Sequence, residues 1–157
     1  MLIEGYPGSE RISNVDGVLP LHYACLFNTV AAVEYLYKLY PDAIYHAATN
    51  GRYPIHYAIG TMSHRDNPIA AVEIAKYLLE CNPSVKFQKI RGRTESLLHV
   101  ACHVDYTDSN IHAGIEVVKA IYDAYPEAIE ENRIASSIQR YRERVQTFIN
   151  NELVYAR

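Results

Sequence analysis

Cysteine is scarce in this chain of 157 residues: Cys25, Cys81 and Cys102 are the whole set. An odd number with no C-x-x-C pair gives neither a disulfide framework nor a standard zinc site. Reduced thiols are therefore expected, with an intracellular, cytoplasmic setting. Tryptophan is absent and phenylalanine occurs three times, against 14 tyrosines. No stretch approaches the ~18 uninterrupted apolar residues of a membrane-spanning helix, so no membrane insertion is expected. The start, Met1-Leu2-Ile3-Glu4-Gly5-Tyr6-Pro7, has no basic segment and no long apolar run, and is not expected to be a signal peptide. A basic excess is also missing. Lys plus Arg number 15 and Asp plus Glu 18, a net charge of -3, which argues against a nucleic-acid partner held through phosphates. Glycine is limited to seven scattered residues, so a phosphate-cradling loop is excluded. G-x-S-x-G and H-E-x-x-H are missing too, and no nucleophile–base arrangement is visible. No catalytic residue, resident metal or cofactor is expected.

What remains is an ordinary globular composition, 49% apolar and 21% charged, at a length that fits one domain. Its main feature is internal repetition. Tyr6-Pro7, Tyr40-Pro41, Asn82-Pro83 and Tyr125-Pro126 form one series, with prolines 34, 42 and 43 residues apart. Between them lies a second: Leu19-Pro20-Leu21-His22-Tyr23-Ala24-Cys25, Tyr53-Pro54-Ile55-His56-Tyr57-Ala58-Ile59 and Ser96-Leu97-Leu98-His99-Val100-Ala101-Cys102. Gly17, Gly51 and Gly92 precede these runs in polar turns, where a positive φ is cheap only for Gly or Asn. Pro20 and Pro54 suit a first helical position, where a missing N–H costs nothing. A short helix then runs through the His and the small Ala, ending near Asn28 in the first unit. A second helix follows, with apolar residues at helical spacing: Val33, Leu36, Tyr37 and Tyr40; then Val72, Ala75, Leu78 and Leu79; then Val117, Val118, Ile121 and Tyr122. Pro41, Pro83 and Pro126 stop these helices. Such a unit cannot bury its own apolar face, so units must stack.

The three runs resemble the ankyrin-repeat signature T-P-L-H-x-A. The likeness covers about residues 1–133 and is weakest in the third unit, which lacks the Pro and has two extra residues before its His. It implies an all-α ankyrin-like helical-repeat solenoid: a partial unit at 1–15, repeats at 16–49, 50–90 and 91–133, and a capping helix within 134–157. That last segment breaks the repeat but places Ile134, Ile138, Tyr141, Val145, Phe148, Ile149 and Leu153 at helical spacing. The partial first unit is expected to be either an N-terminal cap or part of a longer array. The signature's Thr is replaced by Leu19 and Tyr53; only Ser96 keeps a hydroxyl able to cap the helix. His22 to Pro41 is 19 residues, whereas His56 to Pro83 and His99 to Pro126 are both 27. The extra residues fall between the two helices, so repeats 2 and 3 should carry long neighbouring loops.

The resemblance assigns His22, His56 and His99 a structural role, bonding turn backbone groups, within a signature that also holds Gly17, Pro20, Ala24, Gly51, Pro54, Ala58, Gly92 and Ala101. It implies a non-catalytic protein–protein interaction module whose concave face binds another protein, as a monomer or within a longer array. The positions this points to are Asp16, Tyr23, Phe27, Arg52, Tyr57, Arg93, Val100 and His103. Tyr and Arg suit such a surface because they join apolar area to directional polar groups. Tyr23 and Tyr57 could equally pack within the stack. Two other readings stand beside it. One is a structural segment of a larger protein. The other is a metal-dependent protein using His64, Asp66, His103, Asp105, Asp108 and His112 in the inserted loops, although their spacing matches no metal motif.

Overall fold

The computed structural model describes residues 5–27, 29–62 and 66–128, together with Thr147 and Asn151. The expected C-terminal capping helix, the stop at Asn28, and His64 with Arg65 in the first inserted loop lie outside the described residues.

The fold is all-α and ankyrin-like, with six α-helices and no strand among the described residues. The helices pair as hairpins: α1 (Pro20–Phe27) with α2 (Val30–Leu39), α3 (Pro54–Gly60) with α4 (Pro68–Cys81), and α5 (Leu97–Cys102) with α6 (Ile111–Ala124). Pro20, Pro54 and Pro68 each open a helix, where the missing N–H is no loss. Pro41 and Pro83 follow helix ends and open single 3₁₀ turns, Pro41–Tyr45 and Pro83–Phe87. α1, α3 and α5 stack in one layer, and α2, α4 and α6 in a second, with each hairpin closed between the layers.

The core is the seam between those layers. Leu21, Ala24 and Cys25 of α1, Ile55, Ala58 and Ile59 of α3, and Leu98, Ala101 and Cys102 of α5 are all buried. They meet Val33 and Leu36, Ile74 and Leu78, and Val117, Val118 and Ile121 from the second layer in one continuous cluster. Ala at the central position of each first helix is what lets the layers approach closely.

The turns that join the hairpins are chained to one another. Gly17, Gly51 and Gly92 have φ of 70°, 78° and 84°. Thr49 N–H and its hydroxyl both donate to the Asp16 carbonyl, at 2.9 and 3.0 Å, and Arg91 N–H donates to the Gly51 carbonyl at 2.8 Å. Each turn thus sets the height of the next, and the row of tips borders the exposed side of α1, α3 and α5.

The two inserted loops, 61–67 and 103–110, are anchored in the core where they are described. Met62, Tyr106 and Asn110 are buried. The Tyr106 hydroxyl donates to the Ala101 carbonyl at 2.6 Å, and its ring lies over Gly114, where a Cβ would strike it. Asn110 Nδ2 donates to the Met62 carbonyl at 3.0 Å, and Asn110 Oδ1 accepts from Thr107 N–H at 2.7 Å. One side chain therefore ties the loop of the third hairpin to that of the second.

Candidate functional site: the face of the first helices

The histidine positions differ in ways that shape this face. His22 Nδ1 accepts from Leu19 N–H at 3.1 Å, which leaves Nε2–H to donate to the His46 carbonyl at 3.1 Å. His46 in turn reaches back, its Nε2 donating to the Gly17 carbonyl at 3.0 Å. His56 Nδ1 accepts from Tyr53 N–H at 3.1 Å in the same way. Both rings are fully buried. Burial, helped by His46, lowers the pKa of His22 to about 4; burial, helped by the Arg52 charge, does the same for His56. Both are neutral, structural imidazoles.

His99 departs from this pattern. Ser96 supplies the helix cap, its hydroxyl accepting from His99 N–H at 3.3 Å. The His99 Nδ1 has no hydrogen-bond partner among the described residues. The ring is half-buried and faces the His103 ring, with centroids 4.2 Å apart, while His103 Nδ1–H donates to the His99 carbonyl at 2.9 Å. Burial and His103 lower the His99 pKa, and Glu95 opposes them.

This pair, its rings tilted by 36°, lines a cleft of about 760 Å³ between the second and third hairpins. Arg52, Arg93, Val100 and His103 line it, joined by Ile90, Glu95, Val104 and Thr107, none of which the sequence marks, and by Asp105, one of the loop residues of the metal reading. Arg52 is half-buried and Arg93 exposed, and neither forms an ion pair with another described residue.

The other expected face residues divide by role. Tyr23 is 44% exposed and Phe27 73%, and their rings stack at 6.5 Å. Tyr57 is half-buried, its ring edge-on to His22 at 5.0 Å. Both Tyr hydroxyls also hold turn tips. Asn14 Nδ2 donates to Tyr23 Oη at 3.0 Å, and Asn50 Nδ2 to Tyr57 Oη at 3.2 Å. The same Asn side chains accept turn N–H groups: Asn14 Oδ1 from Asp16 and Val18, Asn50 Oδ1 from Arg52. Asp16 is exposed and uses its backbone carbonyl, not its carboxylate, in the tip chain. The tips are preorganised, with Tyr23 and Tyr57 each bound to the turn that precedes its helix. Among the described residues no group of three His, Cys, Asp or Glu side chains comes close enough to hold a metal ion.

The sequence profile of the family described as Ankyrin repeat matches residues 50–87. Residues 50–87 form an ankyrin repeat. They contain Gly51, the Tyr53-Pro54-Ile55-His56 signature and both helices of the second hairpin. The chain is also similar to the probable 26S proteasome regulatory subunit p28 of Saccharomyces cerevisiae, 28% identical over 105 residues. That stretch is 66% of this chain, which spans 39% of the length of the yeast protein. No solved structure matches. An ankyrin repeat together with this relative supports a protein-interaction module in general terms. Among the described residues no helix is long and apolar enough to cross a membrane.

Proposed function

We propose that the protein is a non-catalytic interaction module that holds a protein partner on the face formed by the turn tips and by α1, α3 and α5. The observation that carries this reading is the convergence of Arg52, Arg93, Val100 and His103 on one cleft, at positions set by the repeat. The exposed Tyr23–Phe27 stack extends the same helical layer in the first hairpin. Buried aromatic and Arg anchors dominate protein interfaces, and rigid tips reduce the ordering entropy that a partner must overcome. Cys25, Cys81 and Cys102 form no disulfide, and Cys25 and Cys102 are buried, which fits a reducing intracellular setting.

The test is capture of partners from a native lysate by the full chain, with mass spectrometry. Phe27→Asp combined with Val100→Asp should remove the specific partner. Ile69→Asp, on α4 in the other layer and also exposed, should keep it. Loss with Ile69→Asp and retention with the face variant would move the site to the second layer.

A further inference from the structure

Resting on that face reading, we propose that the cleft between α3 and α5 receives an acidic peptide segment of the partner, a Glu or Asp carboxylate seating on Arg52 and Arg93 and an aliphatic neighbour on Val100 and Val104. The cleft carries two guanidiniums and two carboxylates, but they are differently placed. Arg52 is half out of water, and its guanidinium makes no hydrogen bond or ion pair with the described residues. Its charge is felt by buried His56, which it helps to keep neutral. A partly desolvated guanidinium with no counter-charge is unfavourable, and a carboxylate meets its fork geometry with two parallel hydrogen bonds.

The two acids have other surroundings. Glu95 lies beside His99 and favours its protonated form, and Asp105 is exposed on the loop. They face the imidazole pair and water, which leaves the Arg52 end as the unmatched charge. The apolar wall of Ile90, Val100 and Val104 adds area for one aliphatic side chain. A cleft of this volume accommodates a few side chains of an extended segment.

The experiment is selection of a random short-peptide phage library on the full-length chain at neutral pH and low salt. Fluorescence anisotropy on the leading peptide and on its Glu/Asp→Gln/Asn counterpart follows. Enrichment of Asp or Glu beside Leu, Ile or Val is expected. Loss of affinity of about tenfold or more is expected for Arg52→Gln, and for the neutralised peptide on the unaltered chain, as for loss of a charge-assisted pair. Glu95→Gln should bind as well or better. The neutralised peptide gives the answer even where Arg52→Gln fails to fold. Enrichment of basic or uncharged peptides, equal binding by the neutralised peptide, or no enrichment at all would overturn the proposal. The face reading is judged separately, by the Phe27/Val100 capture experiment, and survives those outcomes if that capture behaves as expected.

Discussion

At Gly51 the φ of 78° coincides with a close approach of the next turn: a Cβ there would lie 2.8 Å from the Arg91 carbonyl oxygen and 2.9 Å from its nitrogen. Gly92 has the same kind of φ, 84°, and open space around the missing Cβ. Gly92→Ala should therefore cost about 1–2 kcal/mol, the left-handed penalty alone, and Gly51→Ala clearly more, because two backbone atoms must also shift. Thermal melts of the two variants check the order. The buried imidazoles make a second residue-scale prediction. His22 and His56 have folded pKa values of about 4 against an ordinary 6.5, so the unfolded chain binds more protons between those limits. Stability is fully present above pH 6.5 and falls as the pH drops toward 4. Each ring contributes up to about 3 kcal/mol to the loss. Urea unfolding at a series of pH values should show this slope, and His22→Gln should remove about half of it. A stability constant from pH 7 to 4 would show that the rings already carry protons in the fold. His22 and His56 were legible in the sequence because their place in the motif fixes the turn they bond. The different fate of His99, whose Nδ1 bonds no turn N–H and whose ring packs against His103, was not, because repeat spacing does not encode which side chains meet there.

At the scale of elements, the helices follow directly from punctuation: Pro20, Pro54 and Pro68 begin them, and Pro41 and Pro83 follow their ends. The inserted loops resist such reading, since they have no period. Their positions between the paired helices were visible from the longer His-to-Pro spacing. That Tyr106 and Asn110 turn inward was not, because polar residues between Asp, Thr and Ser read as solvated loop. The structure gives both residues a partner that only the fold supplies, the Ala101 and Met62 carbonyls. Asn110→Ala should thus cost about 2–3 kcal/mol, by leaving a buried Met62 carbonyl and the Thr107 N–H unpaired. Tyr106→Phe, which keeps the ring over Gly114, should cost nearer 1 kcal/mol. Denaturant melts of both variants measure the difference. Equal, negligible effects would mean that the loop is not fastened to the second hairpin. At the helix contacts, Ala58→Leu should destabilise by about 1–3 kcal/mol or more, since Ala58 is fully buried in the core cluster.

For the whole molecule, stacking two helical layers on one seam leaves the first helices and the turn tips as one surface. That surface is held rigid by the tip-to-tip bonds at Asp16–Thr49 and Gly51–Arg91. Charge and exposed aromatics are distributed along it: Tyr23 and Phe27 in the first hairpin, Arg52 and Arg93 toward the third. The ankyrin resemblance points to Arg52, Arg93, Val100 and His103, whereas Glu95, Val104 and Thr107 join the cleft only through the fold. Whether a partner is held on this layer is read by amide hydrogen exchange of the full chain with and without its captured partner. Added protection is expected in Pro20–Phe27, Pro54–Gly60 and Leu97–Cys102 and in the turns before them, with Val30–Leu39, Pro68–Cys81 and Ile111–Ala124 unchanged. Protection gained instead along those second helices, with the turn tips exchanging as before, would contradict it.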